Sequence, residues 1–316
     1  CPTSGGIKME LSLLTFEKII AMFIILIIGV LCYKLKFISI EGNKSLSSVL
    51  LFVVNPVIIF MSFQRDYEAR LIKNFCICIG FTILAQIIGI VISNVFFRKK
   101  SRNYEINRFS AVYSNCGFIG IPIVSAILGA DGVFYLAGYM LAFNVLLWTH
   151  GYLTITNSKC DMSTVKTILT TPVNVCAAIG IVMFFLHIKL PATVADGLNY
   201  IGDMNTPLAM IVAGATIAQA NPFKALKDYK VYIVCILKLL VIPILTAILL
   251  CFLPGDSVAK MVCVVATACP VAASVTLFAI RYNKNAVYGS QLYAITTILS
   301  IITLPVVVRV SQLLIK

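Results

Sequence analysis

The chain has 316 residues, of which 60% are apolar and only 12% charged, with a mean hydropathy of +1.00. A soluble domain carries about twice that share of charge, so the composition excludes an ordinary water-soluble fold. The net charge of +13 would suggest nucleic acid in a soluble chain. Here the basic residues fall between apolar runs, where they set membrane orientation instead.

Residues 1–15 read as a leader or appended remnant. Ten apolar runs follow, at 16–33, 46–63, 74–97, 108–128, 133–155, 167–187, 199–220, 230–253, 258–280 and 287–312. A helix of about 20 apolar residues crosses about 30 Å of hydrocarbon, so the expected fold is an all-α polytopic membrane protein with ten transmembrane helices. The first run is not a signal peptide. No small-residue cleavage pattern follows it, and it has a counterpart in mid-chain.

The second half repeats the first. Pro207 follows Pro56 by 151 positions, each beside an asparagine (Asn205 and Asn55). Gly180 follows Gly29 by 151, and Pro270 follows Pro122 by 148. Five runs per half is an odd number, so the second half must enter the membrane from the opposite side. The expected organisation is a first five-helix repeat at 16–155, a short cytoplasmic link at 156–166 and a second repeat at 167–316. Inverted repeats with interrupted helices near the bilayer centre are a signature of secondary transporters.

Charge sets the orientation. Loops after the odd-numbered runs hold fifteen basic residues, densest at Arg98, Lys99, Lys100, Arg102 and Arg108, against nine on the other side. The bias places loop 98–108 in the cytoplasm and both termini outside the plasma membrane. Most of the eleven cysteines lie within runs, as Cys76, Cys78, Cys263 and Cys269 do. With two histidines and no paired CxxC, they read as small buried hydrophobes; no metal, disulfide framework or cofactor is expected. There is no Gly-x-Ser-x-Gly, no histidine cluster and no carboxylate pair within a run, so an enzyme is not expected either.

The chemistry is expected where helices 4 and 9 are broken. Ser114-Asn115-Cys116-Gly117-Phe118-Ile119-Gly120-Ile121-Pro122 lies inside the fourth run. Pro122 lacks an N–H and its ring clashes with the preceding turn, while Gly117 and Gly120 lower the cost of non-helical dihedrals. A half-helix beginning near Pro122 would present free N–H groups and a partial positive charge, which suit an anion. Asn115 adds an amide donor. The ninth run repeats the break at Pro270, flanked by Thr267 and Ser274. Asn144 and Gln291, in the fifth and tenth runs, are expected to border this region. Gln86 and His150 read as interhelical hydrogen-bonding residues.

Two ionisable residues stand out. Lys238 lies roughly 10 Å into the eighth run. It reads either as a snorkelling side chain or as a fixed cation that offsets substrate charge or stands where a coupling cation would bind. Asp203 reads either as a proton or cation site or as the cap of the seventh helix at the outer interface.

Asn115-x-Gly117-Phe118-x-Gly120-x-Pro122 resembles the fourth-helix hallmark of the auxin efflux carrier family, which includes plant PIN-formed proteins and bacterial organic-acid permeases. The run 207–215, a proline followed by apolar residues and a Gly-Ala pair, resembles that family's seventh helix. The resemblance extends to the sodium-coupled bile-acid carriers, which share the inverted five-helix repeat. It implies a scaffold of helices 1, 2, 6 and 7 and a transport unit of helices 3–5 and 8–10. It also implies that helices 4 and 9 cross at their prolines, that the transport unit moves as an elevator, and that the scaffold forms a homodimer. Ala268 and Cys269 stand beside Pro270 with no asparagine there, and the 156–166 link is short where plant carriers have a long loop. A small carboxylate such as malate or malonate therefore fits the resemblance better than auxin.

The function expected is alternating-access transport of a small organic anion, with a proton or sodium as the possible coupling ion. The alternatives are a sodium-coupled symporter of the bile-acid carrier type, which paired acidic residues at the crossing would favour, and a non-transporting membrane sensor.

Overall fold

The computed structural model describes residues 4–99, 101–156, 170–220 and 222–315, and every regular element among them is helical. In chain order the helices are α1 (Ser4–Lys34), α2 (Ile40–Ser62), α3 (Ala69–Phe96), α4 (Tyr104–Val112) and α5 (Cys116–Thr156). There follow α6 (Pro172–Phe185), α7 (Ala192–Gln219), α8 (Tyr229–Cys251), α9 (Ser257–Ala268), α10 (Ser274–Arg281) and α11 (Ala286–Leu314). The link expected at 156–166, with Lys159 and Lys166, lies outside the described residues beyond Thr156.

Six helices, α2, α3, α5, α7, α8 and α11, are long and apolar enough to cross a membrane, while α6 and α9 are apolar but shorter. At 41 residues α5 is about twice the length a crossing needs. Its backbone leaves helical geometry at Gly129 (φ +63°, ψ −154°), a conformation open mainly to glycine, which divides it into 116–128 and 130–156.

Local chemistry sets several boundaries. Ser39, Asp228, Asp256 and Asn285 cap α2, α8, α9 and α11 by accepting from amides two or three residues on. Wide π-turns at Leu50–Val54, Cys116–Gly120 and Leu237–Val241 each precede a proline by two residues: Pro56, Pro122 and Pro243. A proline has no N–H for the carbonyl one turn back and its ring pushes that carbonyl away, so the turn before it widens.

Two sets of helices pack closely, and they also touch each other, α1 against α11 and α2 against α5. In one, α1 lies on α7 and the 55–62 end of α2 lies on α6 and the start of α7. A Cβ on Gly214 would sit 2.0 Å from the Leu26 carbonyl oxygen, and one on Gly29 would sit 2.4 Å from that of Ile211. The two backbones touch there, a contact open only to glycine. In the other group, α3 packs against α5, α8 and α9, with α11 against α8, α9 and α10.

Charged residues gather at two places. Arg65 pairs with Asp131 at 2.6 Å, Arg70 with Asp131 at 3.4 Å and with Asp256 at 3.8 Å, and Lys189 with Asp66. The loops near residues 65, 131, 189 and 256 therefore share one face. Lys189 holds the Asp66 carboxyl below the usual carboxylate range by a hydrogen bond and by its charge. Elsewhere Lys284 pairs with Glu105 at 2.9 Å and Lys230 donates to the Arg102 carbonyl at 3.3 Å, joining α4 and the segment before it to the segment before α11 and the start of α8.

Candidate functional site

Between α4 and α5 the chain leaves the helix through 113–115, and between α9 and α10 through 269–273. These stretches lie antiparallel. Asn115 N donates to the Pro270 carbonyl at 2.8 Å, and Ala272 N donates to the Tyr113 carbonyl at 3.0 Å, with Ser114 facing Val271. Val271 N donates to Thr296 Oγ1 of α11 at 3.1 Å. Buried non-helical backbone must find partners, and these two stretches supply one another's. Cys269 is extended (φ −57°, ψ 148°), as the residue before a proline prefers to be.

The break lies upstream of where a half-helix starting near Pro122 would put it. The second half begins at Cys116, and Pro122 lies one wide turn inside it. The Asn115 carbonyl accepts from the amides of Ile119 and Gly120 at 3.1 and 3.2 Å, opening that helix. Ile121 N bonds to the Cys116 carbonyl five residues back, so in the same register a residue at 122 would bond to Gly117. Pro122 cannot, and Asn55 Nδ2 donates to the Gly117 carbonyl instead, at 3.4 Å. Asn205 Nδ2 in turn donates to Asn55 Oδ1 at 2.7 Å. A Cβ on Gly117 would meet that Asn55 amide at 3.3 Å, a tight contact that would press on this bond.

Four helix ends meet at this crossing. The carbonyl ends of α4 and α9 converge on Lys238, which is fully buried. Its Nζ donates to the Val112 carbonyl at 3.2 Å, the Thr267 carbonyl at 3.2 Å and Ser114 Oγ at 2.5 Å; Ser114 Oγ donates onward to the Thr267 carbonyl at 3.2 Å. The snorkelling alternative is thus not the geometry found. The amide ends of α5 and α10 carry the opposite partial charge. No Asp or Glu is buried among the described residues, so none of their carboxylates is enclosed there to balance them.

Several polar atoms at the crossing lack a hydrogen-bond partner although they are buried: Asn115 Nδ2, Thr267 Oγ1, Ser274 Oγ and Asn205 Oδ1. The Tyr293 hydroxyl lies beside the Asn115 amide and the Tyr139 hydroxyl beside Thr267, each a weak polar neighbour at most. Unpaired buried polar atoms are costly, and other described residues such as Gln86, Asn107 and Ser311 also carry them; water, an ion or a ligand can complete such bonding.

The structure thus brings together Asn115, Gly117, Pro122, Thr267, Pro270, Ser274 and Lys238. Gln291 is buried in α11. Asn144 instead donates to Asn174 of α6 at 3.0 Å. His150 Nδ1 lies 2.9 Å from the Tyr113 hydroxyl, and Gln86 reaches the Tyr139 hydroxyl at 3.5 Å. Asp203 sits exposed at the end of the stretch Ala192–Asp203, and the stretch Asn205–Gln219 that follows opens at Met204 with no side-chain cap. A cleft of about 880 Å3 between α3 and loop 253–256, lined by Lys73, Gly80 and Asp256 among others, is separate from the crossing. Ser114, Asn55, Asn205 and Thr296 take larger parts than their sequence context suggests. The asparagine beside each repeated proline was the available signal for two of them; Thr296 and Ser114 had none.

The chain is similar to known membrane transporters. The family model described as membrane transport protein matches residues 14–308. An uncharacterized transporter of Methanocaldococcus jannaschii is 22% identical over 232 residues, covering 68% of this chain and 71% of that protein. An uncharacterized transporter of Methanothermobacter thermautotrophicus is 24% identical over 302 residues, covering 92% of this chain and 96% of that protein. With nearly its whole length matched, the chain belongs to the membrane transport protein family.

Proposed function

We propose that this membrane transporter carries a small organic anion, a carboxylate, bound where helices 4 and 9 of two inverted five-helix repeats cross. The observation that carries the reading is the Asn115 amide. Its Nδ2 is buried and unpaired, at the residue that opens α5. A carboxylate there would accept from Asn115, from Thr267 and Ser274, and from first-turn amides of α5 and α10. The absence of a buried Asp or Glu among the described residues favours an anionic ligand over the acidic pair of a sodium-coupled carrier.

The movement we propose is an elevator. The α1, α2, α6 and α7 group would be the static scaffold and the mediator of a homodimer; the other helices would move. In support, α1 and α7 meet backbone to backbone at Gly29 and Gly214 and have no slack for sliding. The Asn205–Asn55–Gly117 chain of hydrogen bonds is then a contact between the scaffold and the moving unit that must break and re-form in each cycle.

Uptake of radiolabelled carboxylates into proteoliposomes tests this, with Asn115→Ala as the comparison. Saturable uptake of one or more carboxylates, lost in the variant, is expected. Uptake of a cation or a neutral solute in their place would refute it.

A further inference from the structure

We propose that the Lys238 ammonium is a tethered cation. It fills, as part of the chain, an oxygen-lined site that would otherwise take a free monovalent cation. The proposal deepens the reading of the crossing given above. Its readout is melting temperature, so its failure and the failure of anion transport are distinguishable.

The geometry supports a cation site. An ammonium has three N–H donors and no acceptor. All three are used, on the Val112 carbonyl, the Thr267 carbonyl and Ser114 Oγ. Two of these oxygens are carbonyls in the last turns of α4 and α9, whose partial charges of about −0.5 each together offset one positive charge. No carboxylate pairs with Lys238 among the described residues; the other titratable groups acting on it are the Cys116 and Cys269 thiols. A fully buried charge without a counter-ion is tolerated only where dipoles balance it. In broken-helix carriers, half-helix carbonyl ends and unwound backbone are where a free coupling cation is held. Lys238 places its nitrogen among such oxygens from α8, on a wide turn (Leu237–Val241) that follows from Pro243.

The arrangement has a consequence for coupling. With the negative ends permanently neutralised by the chain, no free sodium is required to assemble the crossing. Removing the side chain without filling its volume exposes the oxygens to an added cation.

The test melts the purified full-length protein as wild type, Lys238→Ala and Lys238→Gln. Each is measured in choline, sodium, potassium and ammonium chloride at equal ionic strength. Wild type is expected to melt at one temperature in all four. Lys238→Ala is expected to melt lower in choline and to rise with sodium or ammonium concentration until it saturates, as a bound ligand requires. Lys238→Gln fills much of the space and donates hydrogen bonds without charge. It is expected to melt below wild type and to respond to no cation. The proposal is overturned if Lys238→Ala melts equally low in all four salts, if Gln restores the wild-type value, or if wild type itself depends on sodium. Should Lys238→Ala yield no folded protein in any salt, Lys238→Arg is compared with Lys238→Gln. The charged variant melting higher supports the proposal, and the neutral one melting as high or higher overturns it.

Discussion

Asn205 donates to Asn55 over 2.7 Å, joining two residues 150 positions apart that accompany the repeated prolines Pro207 and Pro56. The Asn55 amide passes the connection on to the Gly117 carbonyl, the acceptor that Pro122 leaves without its helical donor. Three helices thus meet through two buried side chains at the point where the chain crosses itself.

This connection should behave as a unit. Asn55→Ala and Asn205→Ala each leave a buried polar group unpaired, which costs about 1–3 kcal/mol. The double variant should lose less than the sum, because both changes remove the same bond. Thermal unfolding of the four proteins in one detergent checks this. Strictly additive losses would mean that the two residues act separately.

Asn115 and Pro122 should separate function from stability. Asn115 Nδ2 has only the neighbouring Tyr293 hydroxyl to lose, so Asn115→Ala should change the melting temperature little while strongly reducing uptake. Pro122→Ala restores an N–H that can bond to the Gly117 carbonyl and displace Asn55. It should melt at or above wild type and transport poorly. Pro305→Ala, a proline within α11, is the control and should keep its uptake.

The α1–α7 contact predicts the opposite pattern. A Cβ at Gly214 would lie 2.0 Å from backbone oxygen, so Gly214→Val must separate the helices, at a cost of about 1–3 kcal/mol or more. Gly197→Ala lies in the same helix with nothing within 4 Å of a new Cβ. It should be neutral, or stabilising by up to about 1 kcal/mol. Equal melting temperatures for the two variants would remove the backbone contact from the account.

Orientation is tested by labelling. A single cysteine at position 102 of a cysteine-free background should react with an impermeant reagent only after the membrane is opened. One at position 189 should react in intact cells. The basic cluster around Arg98–Arg108 predicts this order. The reverse would invert the orientation while leaving the fold unchanged.

Much of this was legible because membrane folding depends on run length and on proline and glycine positions. Among the described residues the apolar runs fall largely on helices, six of them long enough to cross a membrane; Gly129 leaves helical geometry between the runs 108–128 and 133–155, and Asn115, Thr267, Pro270 and Lys238 meet. The break itself was misplaced because a proline acts on the carbonyls before it. Pro122 widens 116–120, and the helix gives way at 113–115. The partners of Lys238 were not legible, since backbone carbonyls carry no sequence signal. Nor was the pairing of Asn144 with Asn174, which depends on how the two halves dock. The helical stretch Ala192–Asp203 was not legible either, since its polar residues (Asp196, Asn199) break the apolar pattern.

The account depends most on an anion completing the bonding of Asn115. The direct measurement is the melting temperature of wild type and Asn115→Ala, each titrated with a panel of small mono- and dicarboxylates in sodium-free buffer. A ligand that binds only the folded state raises that temperature with its concentration. At least one carboxylate should stabilise the wild type saturably, and the same compound should leave Asn115→Ala unchanged. Equal stabilisation of both proteins would place the anion elsewhere and contradict the account.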